Sequence, residues 1–321
     1  MRRNIVILAA AFCVMAAATV HAEPYPWKPV RIIVPYPPGS SYDTVSRIVG
    51  DTLAESLKQP FIVDNRTGAS GTIGVNLLAR ALPDGHTLGV FGNNQTIVPV
   101  ASTQPPYDLL RDTTPLARIA LIDTIIVASP ALPARDLREM IALFKAHPGK
   151  YRYGSGGIAS SSHLMGAVFA SQAGVDLLHV PYKGGSVGIA ALMGNEVQMQ
   201  IVTLVGANTL VRSGRLRGIA IASHRRSPHM PELPTTAEAG LPGFEFVQWF
   251  GVFAAPGVPA AVNGQLGAAL RQAFARPEVR ARITGVGGDT YYEAPAEFAA
   301  YLRAETARWG AVIKAARIRL E

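Results

Sequence analysis

Cysteine is nearly absent from this chain. The single example, Cys13, falls within an apolar stretch, Ile5–Val20, that follows Arg2 and Arg3. This N-terminus reads as an export signal over residues 1–22. Val20-His21-Ala22 fits a small-x-small cleavage site and Glu23 opens the mature chain. The Ala-Ala-Phe before Cys13 is not a lipoprotein box. The mature chain therefore offers no thiol, no disulfide and no cysteine-based metal site. Long apolar runs are also missing: the signal is short for an anchor, no charged stop follows it, and no later stretch suffices to span a bilayer. Charge is sparse, at 16% of residues, and the net +8 includes the two arginines of the signal. No polybasic run exists, which argues against nucleic acid as a partner, while a mild positive field suits small anions. The mature histidines, at 86, 147, 163, 179, 224 and 229, show neither HxH nor HExxH spacing, so no metal is expected. No repeat period is visible.

What is present is a hydrophobic fraction of 49% over 321 residues, a globular composition large enough for two domains. Short β-branched runs alternate with helical patterns. Val30–Val34, Phe61–Val63, Thr87–Phe91, Arg118–Ala128, Leu177–Pro181, Val197–Leu204, Leu216–Ala222 and Trp249–Ala254 read as strands. Val45, Ile48, Val49, Leu53 and Leu57 recur at helical spacing, with Asp43 or Thr44 as the cap. Helical faces recur at Leu137–Phe144, at Leu164–Phe169 and from Pro295 onward. This alternation predicts an α/β fold of mostly parallel sheets. The long run Arg118–Ala128 and the late run Trp249–Ala254, which leads only to helices, read as crossings between two lobes. The first lobe is expected over 23–122 plus 250–321, the second over 123–249.

Four polar, glycine-bearing loops sit where a strand hands over to a helix. They are Pro38-Gly39-Ser40-Ser41-Tyr42-Asp43, Gly92-Asn93-Asn94-Gln95, the stretch YGSGGIASSSHLMGAVF from Tyr153, and HVPYKGGSVGIAALMG from His179. Each is explicable as an ordinary turn. Together they point to one cleft, because ligands of open α/β sheets bind at the carboxyl ends of strands, where free N–H groups and the helix dipole favour an anion.

Two enzyme patterns are weaker. Gly184-Gly185-Ser186-Val187-Gly188 matches a nucleophile elbow, and a serine hydrolase stays open as an alternative. The order is against it, since only Glu196 lies between Ser186 and the downstream His224 and His229. Gly154-Ser155-Gly156-Gly157-Ile158-Ala159 matches a loose dinucleotide fingerprint, but the acid that should end the next strand is missing. No cofactor is expected.

From Tyr25 to the C-terminus the chain resembles the solute receptors of tripartite tricarboxylate transporters, the Bug family. YPWKPVRIIVPYPPGSSYD, VDNRTGASGTIGVNLLARALPDGHTL, YGSGGIASSSHLMG, HVPYKGG, LPTTAEAGLPGFE and WFGVFAAPGVPA follow in the family's order. The resemblance implies a two-lobed periplasmic binding protein without catalysis. It would act as a monomer in the periplasm, holding a small organic carboxylate between its lobes for membrane transporter subunits. A sensory receptor of the same ligand class is the alternative. By resemblance, the amides of Gly39, Ser40, Ser41 and Tyr42 and the hydroxyls of Ser160 and Ser161 hold carboxylates. Amides of Gly184, Gly185 and Ser186 add contacts, and Asn93 and Asn94 match a family loop. The stiff Pro35-Tyr36-Pro37-Pro38 shapes the floor, where family members use ordered water, and Asp43, Gly157, His163 and Thr203 complete the expected site.

The chain also departs from the family. Tyr42 is bulky where the loop is commonly Gly-rich with Thr before Asp, and is expected either to narrow the cleft or to stack on a ring. Gln95 replaces a usual Gly. Val202 stands where relatives often carry an acid, which predicts a ligand with carboxylate but no amine.

Overall fold

The computed structural model describes residues 24–315. The expected signal, with Cys13 and the cleavage point, lies outside them. Among the described residues no helix is long and apolar enough to cross a membrane.

The first sheet starts from β1 (Val30–Val34), a run in which Val30, Ile32, Ile33 and Val34 are fully buried. A strand apolar on both faces suits the middle of a parallel sheet covered on both sides. It pairs in parallel with β2 (Phe61–Asn65) and β3 (Thr87–Gly92). Between β1 and β2 runs α1 (Ser41–Leu57), stopped by Lys58 in a left-handed conformation. Short α2 (Thr72–Ala79) precedes β3, and α3 (Asn93–Ala101) and the single turn α4 (Leu109–Asp112) follow it.

The strand β4 (Thr114–Ala128) organises the rest. At about 3.3 Å per residue, its 15 residues span about 50 Å, more than one sheet needs. Over Thr114–Asp123 it lies antiparallel to β9 (Val247–Ala254), and β9 in turn pairs with β3. From Thr124 to Ala128 it pairs with β7 (Met199–Thr203), and over Ile125–Ala128 with β8 (Arg217–Ile221). Its neighbour therefore changes between Asp123 and Thr124. The second sheet continues through β5 (Arg152–Ser155) and β6 (Leu178–Pro181), both parallel and fed by helices. Those helices are α5 (Leu137–Ala146), α6 (Ser161–Ala173), α7 (Gly185–Met193) and α8 (Leu204–Arg212). The chain returns to the first sheet at Phe246–Val247: the Phe246 N–H still donates to Ala222, whereas Val247 is paired with Asp123. The pairs β1–β2, β1–β3, β5–β6 and β5–β7 thus run parallel, and the antiparallel pairs all involve β4 or β9.

Two features differ from the expectation. After β9 come α9 (Ala260–Ala275) and α10 (Pro277–Gly285), but also a strand, β10 (Gly288–Glu293), paired with the first part of β4. Its sequence, GDTYYE, is a polar edge strand and lacks the apolar alternation that marks a buried one. The last helix, α11 (Pro295–Ala315), is about 32 Å long and does not stay in one lobe. Phe298 and Leu302 pack into the first core, whereas Trp309 and Ile313 pack into the second beside Phe169 and Phe246.

The contact of α11 with β9 is tight. A Cβ on Gly251 would lie 2.3 Å from the Phe298 ring and 3.2 Å from the Ala117 carbonyl. Gly251→Ala is therefore expected to lower the unfolding free energy by about 1–3 kcal/mol through overpacking. In denaturant titrations Phe298→Leu should recover part of that loss in the double variant. Strict additivity of the two changes would contradict the contact.

Candidate functional site

Between the sheets lies a cavity of about 220 Å³. That is below the roughly 300–1,000 Å³ of pockets for drug-sized ligands and suits a small metabolite. The first lobe contributes Tyr36, Pro37, Gly39–Tyr42, Asn94 and Gln248. The second contributes Gly156, Ser160–Ser162, Gly184–Ser186 and Gln200–Thr203 among others, and Thr124 sits where β4 changes neighbours. First-turn residues of α1, α6, α7 and α8 all line it, so four helix N-termini converge on one space. Among the described residues, no Asp, Glu, Lys, Arg or His lines it. Attraction of an anion to this space would therefore rest on helix dipoles and unpaired N–H groups.

Local sequence decides which amides remain free. On α1 the cap is Ser40, not Asp43 or Thr44: its Oγ accepts the Asp43 N–H at 3.2 Å. Asp43 reaches back instead and accepts the Gly39 N–H at 3.0 Å, while Ser40 N–H donates to the Pro37 carbonyl. Arg47 and Asn65 complete the Asp43 shell at 2.9–3.0 Å. Burial alone would raise the Asp43 pKa, but these hydrogen bonds outweigh it and hold the carboxyl below its ordinary range. Two of the four expected amides, those of Gly39 and Ser40, are thus spent inside the loop. Those of Ser41 and Tyr42 make no hydrogen bond to a protein group among the described residues.

The second-lobe loop repeats the device. Ser160 caps α6 by accepting the His163 N–H at 3.2 Å and donates to the Gly157 carbonyl at 2.7 Å. Ser162 accepts the Gly156 N–H at 2.9 Å. The Ser161 N–H donates to Asn94 Oδ1 of the other lobe at 2.6 Å, and Asn94 Nδ2 donates to the Tyr36 hydroxyl. Asn94 therefore bridges the lobes on the first N–H of α6. The amides of Gly185 and Ser186 on α7 have no protein partner among the described residues.

Of the residues expected at the site, Tyr36, Gly39, Ser40, Ser41, Tyr42, Asn94, Ser160, Ser161, Gly184, Gly185, Ser186 and Thr203 lie on the cavity wall; Pro38, Asp43, Asn93, Gly157 and His163 do not. Of the expected floor segment Pro35–Pro38, Tyr36 and Pro37 line the cavity. Asn93 is buried and clamps the start of β9, accepting the Trp249 N–H at 2.8 Å and donating to the Val247 carbonyl at 3.2 Å. Gln95 caps its own helix by accepting the Gly92 N–H at 2.9 Å. Gln248, Thr124 and Gln200 line the wall without having been expected there. Gln248 and Gln200 carried a usable signal: each is a polar residue inside an apolar strand, and a buried amide needs a partner or a ligand. The Tyr42 ring packs against Tyr36 at 4.4 Å and Phe250 at 5.0 Å, so it narrows the cleft and offers no free face.

His163 stacks on His179 at 3.7 Å with planes 5° apart. Its Nδ1 accepts the Ala159 N–H at 3.2 Å, and His179 Nε2 lies 2.6 Å from Ser155 Oγ. The pair buttresses the loop that ends in Ser160–Ser162.

A two-lobed fold whose strand-end loops converge on one cleft rich in free backbone N–H groups defines a solute-binding receptor. Residues 45–318 match the family described as "Tripartite tricarboxylate transporter family receptor", and the chain belongs to that family. It is 33% identical to BugT of Bordetella pertussis over 93% of this chain and 92% of that protein. Among solved structures it is similar to MatC from Rhodopseudomonas palustris with bound malate, at 31% identity and a TM-score of 0.85, covering 90% of this chain and 100% of that one. It is also similar to R. palustris Rpa4515 with adipate, at 28% identity and a TM-score of 0.88, covering 92% and 99%.

Burial, and then repulsion from His163, push the His179 pKa from 6.5 down to about 4. In that interval the unfolded chain binds a proton that the fold refuses. This stabilisation is complete above pH 6.5 and is lost as pH falls toward 4. Melting temperatures from pH 7 to 4.5 are expected to fall more steeply for the natural protein than for His179→Gln. Parallel profiles would rule out the pair as the cause.

Proposed function

We propose that this protein captures a small organic carboxylate between its lobes and presents it to the membrane subunits of a tripartite tricarboxylate-type transporter. It works as a monomer in the periplasm, reached through cleavage of the signal after Ala22, and carries out no chemistry on its ligand. The observation that carries the reading is the convergence of four helix N-termini on one cleft between the lobes, with no cationic side chain lining it among the described residues. Such a site suits a compact anion that accepts several N–H bonds at once. Malate and adipate bound to the relatives MatC and Rpa4515 support the same class of ligand. A serine-hydrolase reading finds no support, because the Ser186 hydroxyl makes no hydrogen bond to a histidine or an acid among the described residues. Binding shifts the open–closed equilibrium through contacts that both lobes make only when closed.

The ligand carries carboxylate and no amine. Val202 lines the cavity in place of an acid, Asp43 is held by Arg47 and Asn65, and Asp123 is not on the wall. An ammonium group closed into this space would be buried without a countercharge, at a cost of several kcal/mol. Dicarboxylates, tricarboxylates and aromatic acids remain as the class.

In a thermal-shift screen, a carboxylate at about 100-fold over its Kd should stabilise the protein by about 2.7 kcal/mol, a rise of several degrees. Sugars and amines should give no shift, and hits among sugars alone would refute the receptor reading. In calorimetry succinate should bind more tightly than aspartate, and the reverse order would refute the assignment of Val202.

The serines separate function from folding. Ser161→Ala should cost about 1.5–3 kcal/mol in affinity while leaving stability nearly unchanged. Ser160→Ala, which removes a cap, should cost about 1 kcal/mol in stability. If Ser161→Ala binds as well as the natural protein, its hydroxyl is not a ligand contact.

A further inference from the structure

Tyr42 combines two properties that rarely meet in one residue. Its backbone N–H, in the first turn of α1, is one of the two free donors that the first lobe turns toward the cavity. Its side chain is a wall beside that donor. The ring is 6% exposed, lies 4.4 Å from Tyr36 at 38° and 5.0 Å from Phe250 at 71°, and its hydroxyl accepts from Gln248 Nε2 at 3.1 Å. Gln248 is 2% exposed and is itself anchored on the Trp249 carbonyl at 3.1 Å. Behind them stands Gly92. A Cβ there would come within 2.8 Å of the Tyr42 hydroxyl and 2.6 Å of Gln248 Nε2, so only a residue without a side chain leaves room for this arrangement. A ring fixed by two aromatic neighbours and a buried hydrogen bond is a rigid boundary, not a swinging gate.

We propose that Tyr42, braced by Gln248 over Gly92, sets the length of the ligand. A carboxylate held at the N-terminus of α1 abuts the ring and has no space to extend into the first lobe. The rest of the molecule runs toward α7 and α8 in the second. Selection is by length and not by stacking on Tyr42. This inference rests on the carboxylate-receptor reading and adds to it a short ligand and the residue that keeps it short.

The test is calorimetry of the mature protein with α,ω-dicarboxylates of three to eight carbons. In the natural protein affinity should peak at a short member, then fall by about tenfold or more per excess methylene, the discrimination typical of a fixed apolar wall. Tyr42→Leu should move the peak to a longer acid, and Tyr42→Phe, which keeps the ring, should leave it in place. Should Tyr42→Leu fail to fold by circular dichroism, Gln248→Ala frees space behind the ring and should move the peak in the same direction. Length profiles parallel to that of the natural protein in Tyr42→Leu, or in Gln248→Ala, overturn the assignment while leaving the receptor reading intact. So does loss of benzoate binding in Tyr42→Leu with an unchanged length profile, since that is stacking. Failure of the natural protein to bind any diacid overturns this inference, while the receptor reading is decided separately by the tricarboxylates and aromatic acids of the thermal-shift screen.

Discussion

The site depends on a few backbone N–H groups that have no protein partner among the described residues. Those of Ser41 and Tyr42 on one lobe and of Gly185 and Ser186 on the other are the first donors of their helices, and the helix geometry leaves them open. A partial charge of this kind is weak in water and strong in a dry enclosure. The donors are therefore useful only if two separate sheets bring them face to face and exclude solvent between them. The 15-residue strand β4 meets that need by belonging to both sheets, with its neighbour changing from β9 to β7 at Asp123–Thr124 beside the cavity.

Most polar side chains near the cavity are engaged in holding this arrangement. Asp43 binds Gly39 and Arg47, Ser160 caps α6, Gln95 caps α3, and Asn93 fastens the start of β9. Each satisfies a donor that would otherwise be buried and open, and each thereby narrows the choice of amides left for an anion. Asn94 goes further, since its carbonyl occupies the first N–H of α6 across the lobes. That hydrogen bond ties the start of α3 in the first lobe to the start of α6 in the second.

The passages between lobes are more numerous than two strands. Helix α11 places Phe298 in one core and Trp309 in the other, and Glu305 between them accepts from Trp309 Nε1 at 2.7 Å and meets Asn93 Nδ2 at 3.5 Å. A buried carboxylate thus joins the last helix to the residue that clamps β9. Relative movement of the lobes has to flex or repack α11 as well as β4 and the Phe246–Val247 passage.

The sequence by itself determined the α/β class, the strand-end loops and about half of the cavity wall. These follow from local rules: β-branched runs make strands, helical spacing makes helices, and Gly-Ser loops between them leave amides free. Polar β10, and the split allegiance of α11, were not legible there, because an edge strand and a helix shared between two cores depend on distant neighbours. Nor was the division of labour within the loops. Asp43 and Tyr42 are adjacent in sequence, yet one turns away to Arg47 while the other walls the cavity against Phe250 and Gln248, 206 residues on. Residue type fixes what a side chain is able to bond. Only the tertiary structure decides which partner reaches it first, since a buried donor or acceptor takes the nearest satisfying group and leaves the remainder for a ligand.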